Sequence, residues 1–438
     1  MSLKTKIEKI PGYNLLVRPL HFGQAVAATV KYDFPAKHLR VIAVTGTNGK
    51  TTTCFMIWKM LNAAGRKAGL LTTVGWGGVG GGDNEPKSEL DATALHSQYE
   101  HMTTERVEVL NERMRAIADA KAEFLVLEVT SHALSQSRIL GVPIEIAVFT
   151  NITSEHLDYH RTFANYLAAK RKLFKKSRFG VLNADDPNVA EFTKVYASGE
   201  FKTYGIAQGD VRATGVVLGA SGVQYSCGDM KIKTQIPGKF NVYNSLAAVT
   251  VGQKLGLTDK QIMAGIQSLA AVEGRMNRID LGQPFGVIVD YAHQPDALEK
   301  VYDSVKNDPN LGRIITVHGG AGRRDSSTRS IRGEIMGRES DIVIITEDDS
   351  RDEDPEKIAA QFVQGAEVAG KVMGKNLAVE LDRKLAIEKA IAIAKPRDLV
   401  LILGKGHEKT ILRADGAHPF EDVKVAREAI KKKLHQKI

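Results

Sequence analysis

The run Thr45-Gly-Thr-Asn-Gly-Lys-Thr-Thr-Thr53 lies between an apolar stretch, Val41 to Val44, and a helical stretch, Thr51 to Ala64. Few local patterns constrain a fold as tightly. A glycine-rich turn between a strand and a helix is the context in which backbone amides cradle phosphate. Glycines let N–H groups curl around phosphate oxygens without Cβ clashes. The helix N-terminus adds positive potential. Lys50 has the length to reach β- and γ-phosphates, and the Thr51 hydroxyl suits Mg²⁺. The first glycine of the full GxxxxGKT pattern falls at Val44, so only GxxGKT is met. The expected nucleotide site comprises Gly46, Thr47, Asn48, Gly49, Lys50, Thr51 and Thr52.

Short β-rich runs alternate with longer helical runs on both sides of this loop. Candidate strands are Gly69 to Thr72, Phe124 to Val129, Ile146 to Thr150 and Gly180 to Asn183. Helical candidates between them include Thr104 to Ala120 and Phe163 to Phe174. Such alternation argues for a parallel sheet flanked by helices. Lys202 to Gln235 has period-2 runs and glycines and reads as a small antiparallel patch. Gly75 to Gly82 reads as a mobile loop. A second alternating block has strands Phe285 to Asp290, Ile314 to His318, Asp341 to Thr346 and Leu399 to Leu403. The expected fold class is α/β: a P-loop central domain with a mainly parallel sheet and an antiparallel patch, then a Rossmann-like C-terminal α/β domain. The expected boundaries are a short segment at 1–40, a central domain at 41–277 and a C-terminal domain at 278–438.

Composition narrows the partners. The net charge is +9, from 60 basic and 51 acidic residues, which favours anionic ligands such as nucleotides and carboxylates. The basic residues are dispersed and not interleaved with aromatics, so nucleic acid is not expected as a partner. The two cysteines, Cys54 and Cys227, lack the spacing of a zinc site or a disulfide framework. No run reaches the roughly 18 apolar residues of a membrane span. No signal-peptide pattern opens the chain. A cytoplasmic, membrane-free protein is expected. Leu15 to Val30 reads as a helix packed on the next domain.

Other charged residues fall at strand ends, where such sheets hold ligands. Glu128 closes one strand and is placed to hold Mg²⁺ opposite the loop, or is an ordinary strand-end glutamate. His156, Asp158 and His160 crowd together just past the next strand. Lys170 follows in a helical stretch, and by composition alone it is a solvated lysine.

Eight segments taken in order resemble the Mur ligase family. They are Gly46-Thr-Asn-Gly-Lys-Thr51, Glu128-Val-Thr-Ser-His132, Thr150-Asn-Ile-Thr153 with His156-Leu-Asp-Tyr-His160, and Asn183-Ala-Asp-Asp186. Asn241-Val-Tyr-Asn-Ser-Leu-Ala-Ala248, Gly274-Arg-Met276, Asp290-Tyr-Ala-His-Gln-Pro-Asp296 and Gly404-Lys-Gly-His-Glu408 complete the set. The resemblance covers about residues 40 to 412 and is closest to the MurE branch, which adds the third amino acid to a UDP-N-acetylmuramoyl dipeptide. It implies an ATP-dependent, ADP-forming amide ligase that uses Mg²⁺ and an acyl-phosphate intermediate. Lys170 would be a carbamylated lysine that helps Thr51, Glu128 and His156 hold metal. Asn244, Arg275 and Asp290 would lie near the nucleotide. Thr103, Thr104, Ser131 and Arg138 would contact a muramoyl-peptide-like acceptor. Glu105 stands where the family's TTPE motif has proline.

The acidic run Glu347 to Asp354 reads as a turn with Asp354 capping a helix at Pro355. The resemblance instead makes it the amino-acid pocket, where the DNPR of diaminopimelate-using enzymes appears as Asp348-Asp349-Ser350-Arg351. Asp349, Arg351 and Glu408 are then the amine-side residues, and diaminopimelate, lysine and ornithine all fit. A monomer is expected. The family's UDP-binding domain normally precedes the P-loop by about a hundred residues, whereas here the loop starts at Gly46. A ligase for a non-UDP acceptor, similar to folylpolyglutamate synthase, is therefore the rival reading. A non-catalytic ATP-binding P-loop protein is a third.

Overall fold

A computed structural model describes residues 17–80, 86–88, 104–196, 200–219, 222–306, 308 and 310–435. Within them the chain builds two large sheets. The first contains β1 (Arg40–Thr45), β2 (Ala68–Leu71), β3 (Gly75–Gly77), β4 (Pro86–Ser88), β5 (Phe124–Glu128), β6 (Ile144–Phe149), β7 (Ser177–Asn183), β8 (Phe201–Gly205) and β9 (Val211–Arg212). Their order is β4-β3-β2-β5-β1-β6-β7-β8-β9. From β2 to β9 every pairing is parallel. β1 and β5 are buried along almost their whole length because helices cover both faces. This explains why they read as continuous apolar runs.

Two sequence expectations change. Gly75–Gly77 is a strand, antiparallel to β2. The Trp58 indole N–H holds this region by donating to the carbonyls of Ala68 and Gly78, each at 3.0 Å. Phe201–Gly205 belongs to the parallel sheet, beside β7. The antiparallel patch is confined to β10 (Thr214–Gly219), β11 (Gly222–Cys227) and β12 (Met230–Thr234).

The second sheet contains β13 (Asn277–Arg278), β14 (Gly286–Asp290), β15 (Ile314–Gly320), β16 (Ile342–Glu347), β17 (Leu377–Val379) and β18 (Leu399–Leu403), in the order β13-β14-β18-β15-β16-β17. All pairs but β13–β14 are parallel. A hairpin of β19 (Thr410–Arg413) and β20 (Gly416–Pro419) follows. The helix Arg383–Ile393 is held against the helix Asp422–His435 by a fully buried ion pair. The Arg383 guanidinium donates to both Asp422 carboxylate oxygens, at 2.7 and 2.8 Å. The N-terminal helix Arg18–Lys31 leaves Leu20, Phe22, Val26 and Val30 largely exposed. No described helix is long and apolar enough to cross a membrane.

Candidate active site

The phosphate loop runs from the end of β1 into the helix Lys50–Ala63. Gly49 sits at φ +82°, in the left-handed region, directly against the Asn244 side chain. A Cβ there would collide with Asn244, so this turn needs glycine for two independent reasons. Asn244 lies on the helix Lys239–Lys254. It accepts from the Thr53 hydroxyl at 3.3 Å and donates to Asn241 Oδ1 at 2.8 Å. The expected adenine-side residue thus braces the loop.

The segment after β6 clamps the loop from the other side. The Asn48 N–H donates to Asn151 Oδ1 at 3.0 Å, and the Asn48 carbonyl accepts from the Thr150 hydroxyl at 2.7 Å. Lys50 Nζ donates to the Thr47 carbonyl at 2.7 Å, and Thr52 is buried in the first helical turn.

Glu128, 1% exposed, ends β5 beside this loop. One of its carboxylate oxygens accepts from the Thr51 hydroxyl at 3.0 Å, the Thr73 hydroxyl at 3.0 Å and the Thr73 amide at 3.1 Å. Thr73 went unnoticed in the sequence because an isolated threonine after a strand carries no signal.

Lys170 is 2% exposed and is no solvated lysine. Its Nζ donates to the Gly46 carbonyl at 2.7 Å and lies 4.7 Å from the centre of the Tyr166 ring. Burial, then the charge of Lys50, hold its ammonium well below the usual lysine value, against the pull of Glu155 and Glu128. His156 adopts a left-handed backbone, φ 55°. Burial, followed by the charges of Lys170 and Lys50, pushes its imidazole down to about 2. His132 packs edge-on to His156, with ring centroids 4.8 Å apart. Lys50, Glu128, His156 and Lys170 therefore share one electrostatic neighbourhood.

Ser131 and Thr104 lie next to this cluster. Ser131 Oγ is 2.9 Å from His160 Nε2. The Thr104 hydroxyl donates to the Glu128 carbonyl at 3.1 Å and accepts from the Thr130 amide at 3.0 Å. Arg138 donates to the carbonyls of Thr104 and Glu105. Thr103 lies outside the described residues.

The trailing sheet meets the loop through Arg275, whose Nη2 is 3.5 Å from Thr51 Oγ1. Its guanidinium lies 4.4 Å from the Tyr291 ring centre. The Tyr291 hydroxyl is 3.5 Å from Glu408 Oε1. Arg275 and Tyr291 therefore lie between Thr51 and Glu408. Asp290 accepts from the amides of Met276 at 2.6 Å and Ala292 at 2.7 Å, one on each oxygen. It shapes the junction through the backbone.

Around Glu408, in the region expected to hold the incoming amine, a fully buried ammonium, Lys405, sits among three carboxylates. Its Nζ donates to Asp349 at 2.7 Å, Glu408 at 2.7 Å and Asp348 at 3.2 Å. These acids have the spacing of a metal cluster, but Lys405 already holds a cation at their centre. Burial opposes its charge, while Glu408, Asp348 and Asp349 raise it well above the ordinary lysine value. Lys405 stood inside the Gly404 to Glu408 motif, yet sequence reasoning gave it no role. Arg351 donates to the Gly322 carbonyl at 2.7 Å and lies 3.8 Å from Asp349. A neighbouring cavity of about 660 Å³ is lined by Ser350, Arg351 and Arg413 among others.

Comparison with known proteins fits this geometry. Residues 44–252 match the Mur ligase middle domain, and residues 274–406 match the Mur ligase glutamate ligase domain. The UDP-N-acetylmuramyl-tripeptide synthetase of Roseiflexus sp. (strain RS-1) is 37% identical over 443 residues, covering 96% of this chain and 84% of its own. The chain belongs to the Mur ligase family. A solved UDP-N-acetylmuramoyl-L-alanyl-D-glutamate–2,6-diaminopimelate ligase matches this Mur ligase with TM-score 0.62 and 29% identity, over 95% of this chain and 83% of that one. Mycobacterium tuberculosis folylpolyglutamate synthase matches with TM-score 0.69 at 19% identity, over 89% of this chain and 95% of that one. That likeness shows a shared fold. Together these matches favour the cell-wall branch over the folylpolyglutamate-synthase-like alternative. Mur ligases form amide bonds at the expense of ATP, so a purely scaffolding role is also not favoured.

Proposed function

We propose that this Mur ligase joins a basic amino acid, diaminopimelate, lysine or ornithine, to the carboxylate of a muramoyl-peptide acceptor. It would do so in the synthesis of a peptidoglycan precursor. The observation that carries this reading is the convergence of Lys50, Glu128, His156 and Lys170 on the loop at Gly46 to Thr51.

Lys50 moves from the Thr47 carbonyl to the β- and γ-phosphates when ATP binds. There it offsets charge as the γ-phosphoryl group passes to the acceptor carboxylate. The products of that step are an acyl phosphate and ADP. The incoming amine, oriented by the acidic pocket around Asp349 and Glu408, attacks the acyl carbon. The same lysine offsets the oxyanion, and inorganic phosphate leaves. Closure of the trailing sheet over the loop excludes water, which would otherwise hydrolyse the acyl phosphate.

The donor set fits Mg²⁺ in part by charge and in part by hardness. Thr51 and Glu128 supply oxygens, His156 is held neutral, and the neutral amine of Lys170 is the form that adds CO₂ to become an oxygen-donating carbamate. Thr51, Glu128, His156 and the carbamate of Lys170 would hold the ion, which neutralises phosphate charge when bound. The deciding assay measures ADP release while crossing the three diamino acids and glutamate with UDP-muramoyl peptides and UDP-free analogues. ADP release that depends on both a diamino acid and a muramoyl peptide supports the reading. No stimulation by any pair ends it.

A further inference from the structure

Asp296 is the second residue of the helix Pro295–Val305, at the edge of the trailing sheet's ligand face. One of its carboxylate oxygens accepts from three groups. These are the Asn48 side-chain amide at 2.7 Å, Lys300 Nζ at 2.7 Å and the Thr153 hydroxyl at 3.3 Å. Asn48 belongs to the phosphate loop, and Thr153 belongs to the segment after β6 that clamps it. A single oxygen thus ties both sides of the loop to the unit that carries the amine pocket.

The Asn48 backbone is already engaged by Thr150 and Asn151. Its side-chain N–H is therefore the group through which the loop reaches across. Lys300, four residues along the same helix, holds the same carboxylate oxygen. Asp296 also lies in the first helical turn, where the helix dipole favours a negative charge. It touches no group expected to react.

We propose that Asp296 is a positioning residue that sets the amine-binding unit against the phosphate loop through Asn48, so that the acyl phosphate and the amine meet in register. The proposal rests on the ligase reading above. A misplacement of about 1 Å costs on the order of 100-fold in such a reaction.

The test is a double-mutant cycle of Asn48→Ala and Asp296→Ala in the full-length protein, with Asp296→Asn as the conservative variant. Each alanine variant is expected to lower the ligation rate about 10-fold or more, and for Asp296→Ala, which lies outside the nucleotide site, ATP affinity, read by a fluorescent ATP analogue, is expected to stay within about 3-fold. The double variant is expected to be no slower than the worse single one, because both remove one contact. Asp296→Asn keeps an oxygen acceptor for Asn48 and is expected to restore most of the rate. Losses that multiply in the double variant, or a loss confined to ATP affinity, overturn the positioning role. Thermal melts of all four proteins identify any variant that fails to fold. For such a variant, Asp296→Asn alone decides: wild-type rate supports the proposal, and alanine-like loss sinks it. A wild-type protein that ligates nothing overturns the ligase reading itself and the positioning role with it. Wild-type activity with multiplicative losses overturns the positioning role alone.

Discussion

Lys170 Nζ donates to the backbone carbonyl of Gly46 at 2.7 Å, across 124 residues of sequence. Burying an ammonium against a phosphate loop, with no ion pair to it among the described residues, is an expensive arrangement, since desolvation penalises the charged form. The expense makes sense if the amine is destined for modification. Lys170→Ala is therefore expected to lose ligase activity and to regain part of it in millimolar acetate or another short carboxylate. Steady-state ADP release with and without the additive checks this. Full ligation by Lys170→Ala without any additive would refute the carbamate assignment.

Lys50 is the loop's own cation, and it donates to the Thr47 carbonyl. Its removal leaves phosphate charge uncompensated in the transition state. Lys50→Ala is expected to lower turnover at least about 100-fold, as removal of a preorganised charge-stabilising donor does. Saturating ATP should not restore the rate. Initial rates over a wide ATP range distinguish this from a simple binding defect.

Lys405 is the counter-ion for Asp348, Asp349 and Glu408. Lys405→Met leaves those carboxylates facing one another in a buried site. The expected loss is about 3–5 kcal/mol, the scale for removing one partner of a buried ion pair. Denaturant melts measure it directly. Lowering the pH should recover part of the loss in the variant, because protonation relieves the repulsion.

His318 is fully buried, donates from Nδ1 to the Leu403 carbonyl at 3.1 Å, and is pushed down to about 3 by burial and the nearby Arg332. Its unfolded-state value is 6.5. As pH falls below 6.5 the unfolded chain takes up a proton that the folded chain refuses. Stability is therefore lost between pH 6.5 and 3 and is fully present above 6.5. At about 1.4 kcal/mol per pH unit per proton, His318 accounts for about 2–3 kcal/mol of loss by pH 4.5. His318→Phe is expected to flatten that limb of a pH–stability curve by this amount. An unchanged slope would remove His318 from the explanation.

Much of the fold was readable because the strands of a parallel sheet covered on both faces are uninterrupted apolar runs. β1, β5, β14, β16 and β18 all stood out for this reason. Phe201–Gly205 misled because period-2 alternation reports one exposed face and says nothing of strand direction. Gly75–Gly77 misled because glycine is a poor strand former in isolation, and here neighbouring strands and Trp58 hold it. The helices Arg329–Glu339 and Arg383–Ile393 each open on a buried arginine. Arg329 pairs with Glu353 and Gln361, and Arg383 with Asp422, partners no local window contains.

The site divided along the same line. Residues in the loop and at strand ends were legible, since chemistry and spacing announced them. Lys170 was named only through the family resemblance, because its burial is a property of the packed molecule. Thr73, Lys405 and Asp296 act through other side chains, and nothing in their own sequence neighbourhoods marks that. Asp290 was named with its motif, but the amides of Met276 and Ala292 from which it accepts could not be read there.

β18 lies between β14 and β15, although its residues are made long after both. While the ribosome is still at work, the nascent chain carries two apolar strands with their facing edges unfilled. Asp290 and His318, near the ends of those strands, cannot take their places until Leu403 has emerged. Such late pairing is slow and leaves sticky surface in the open. A premature stop before Leu399 would leave a chain with its phosphate loop but without Lys405 and Glu408, the residues that gather with Asp348 and Asp349.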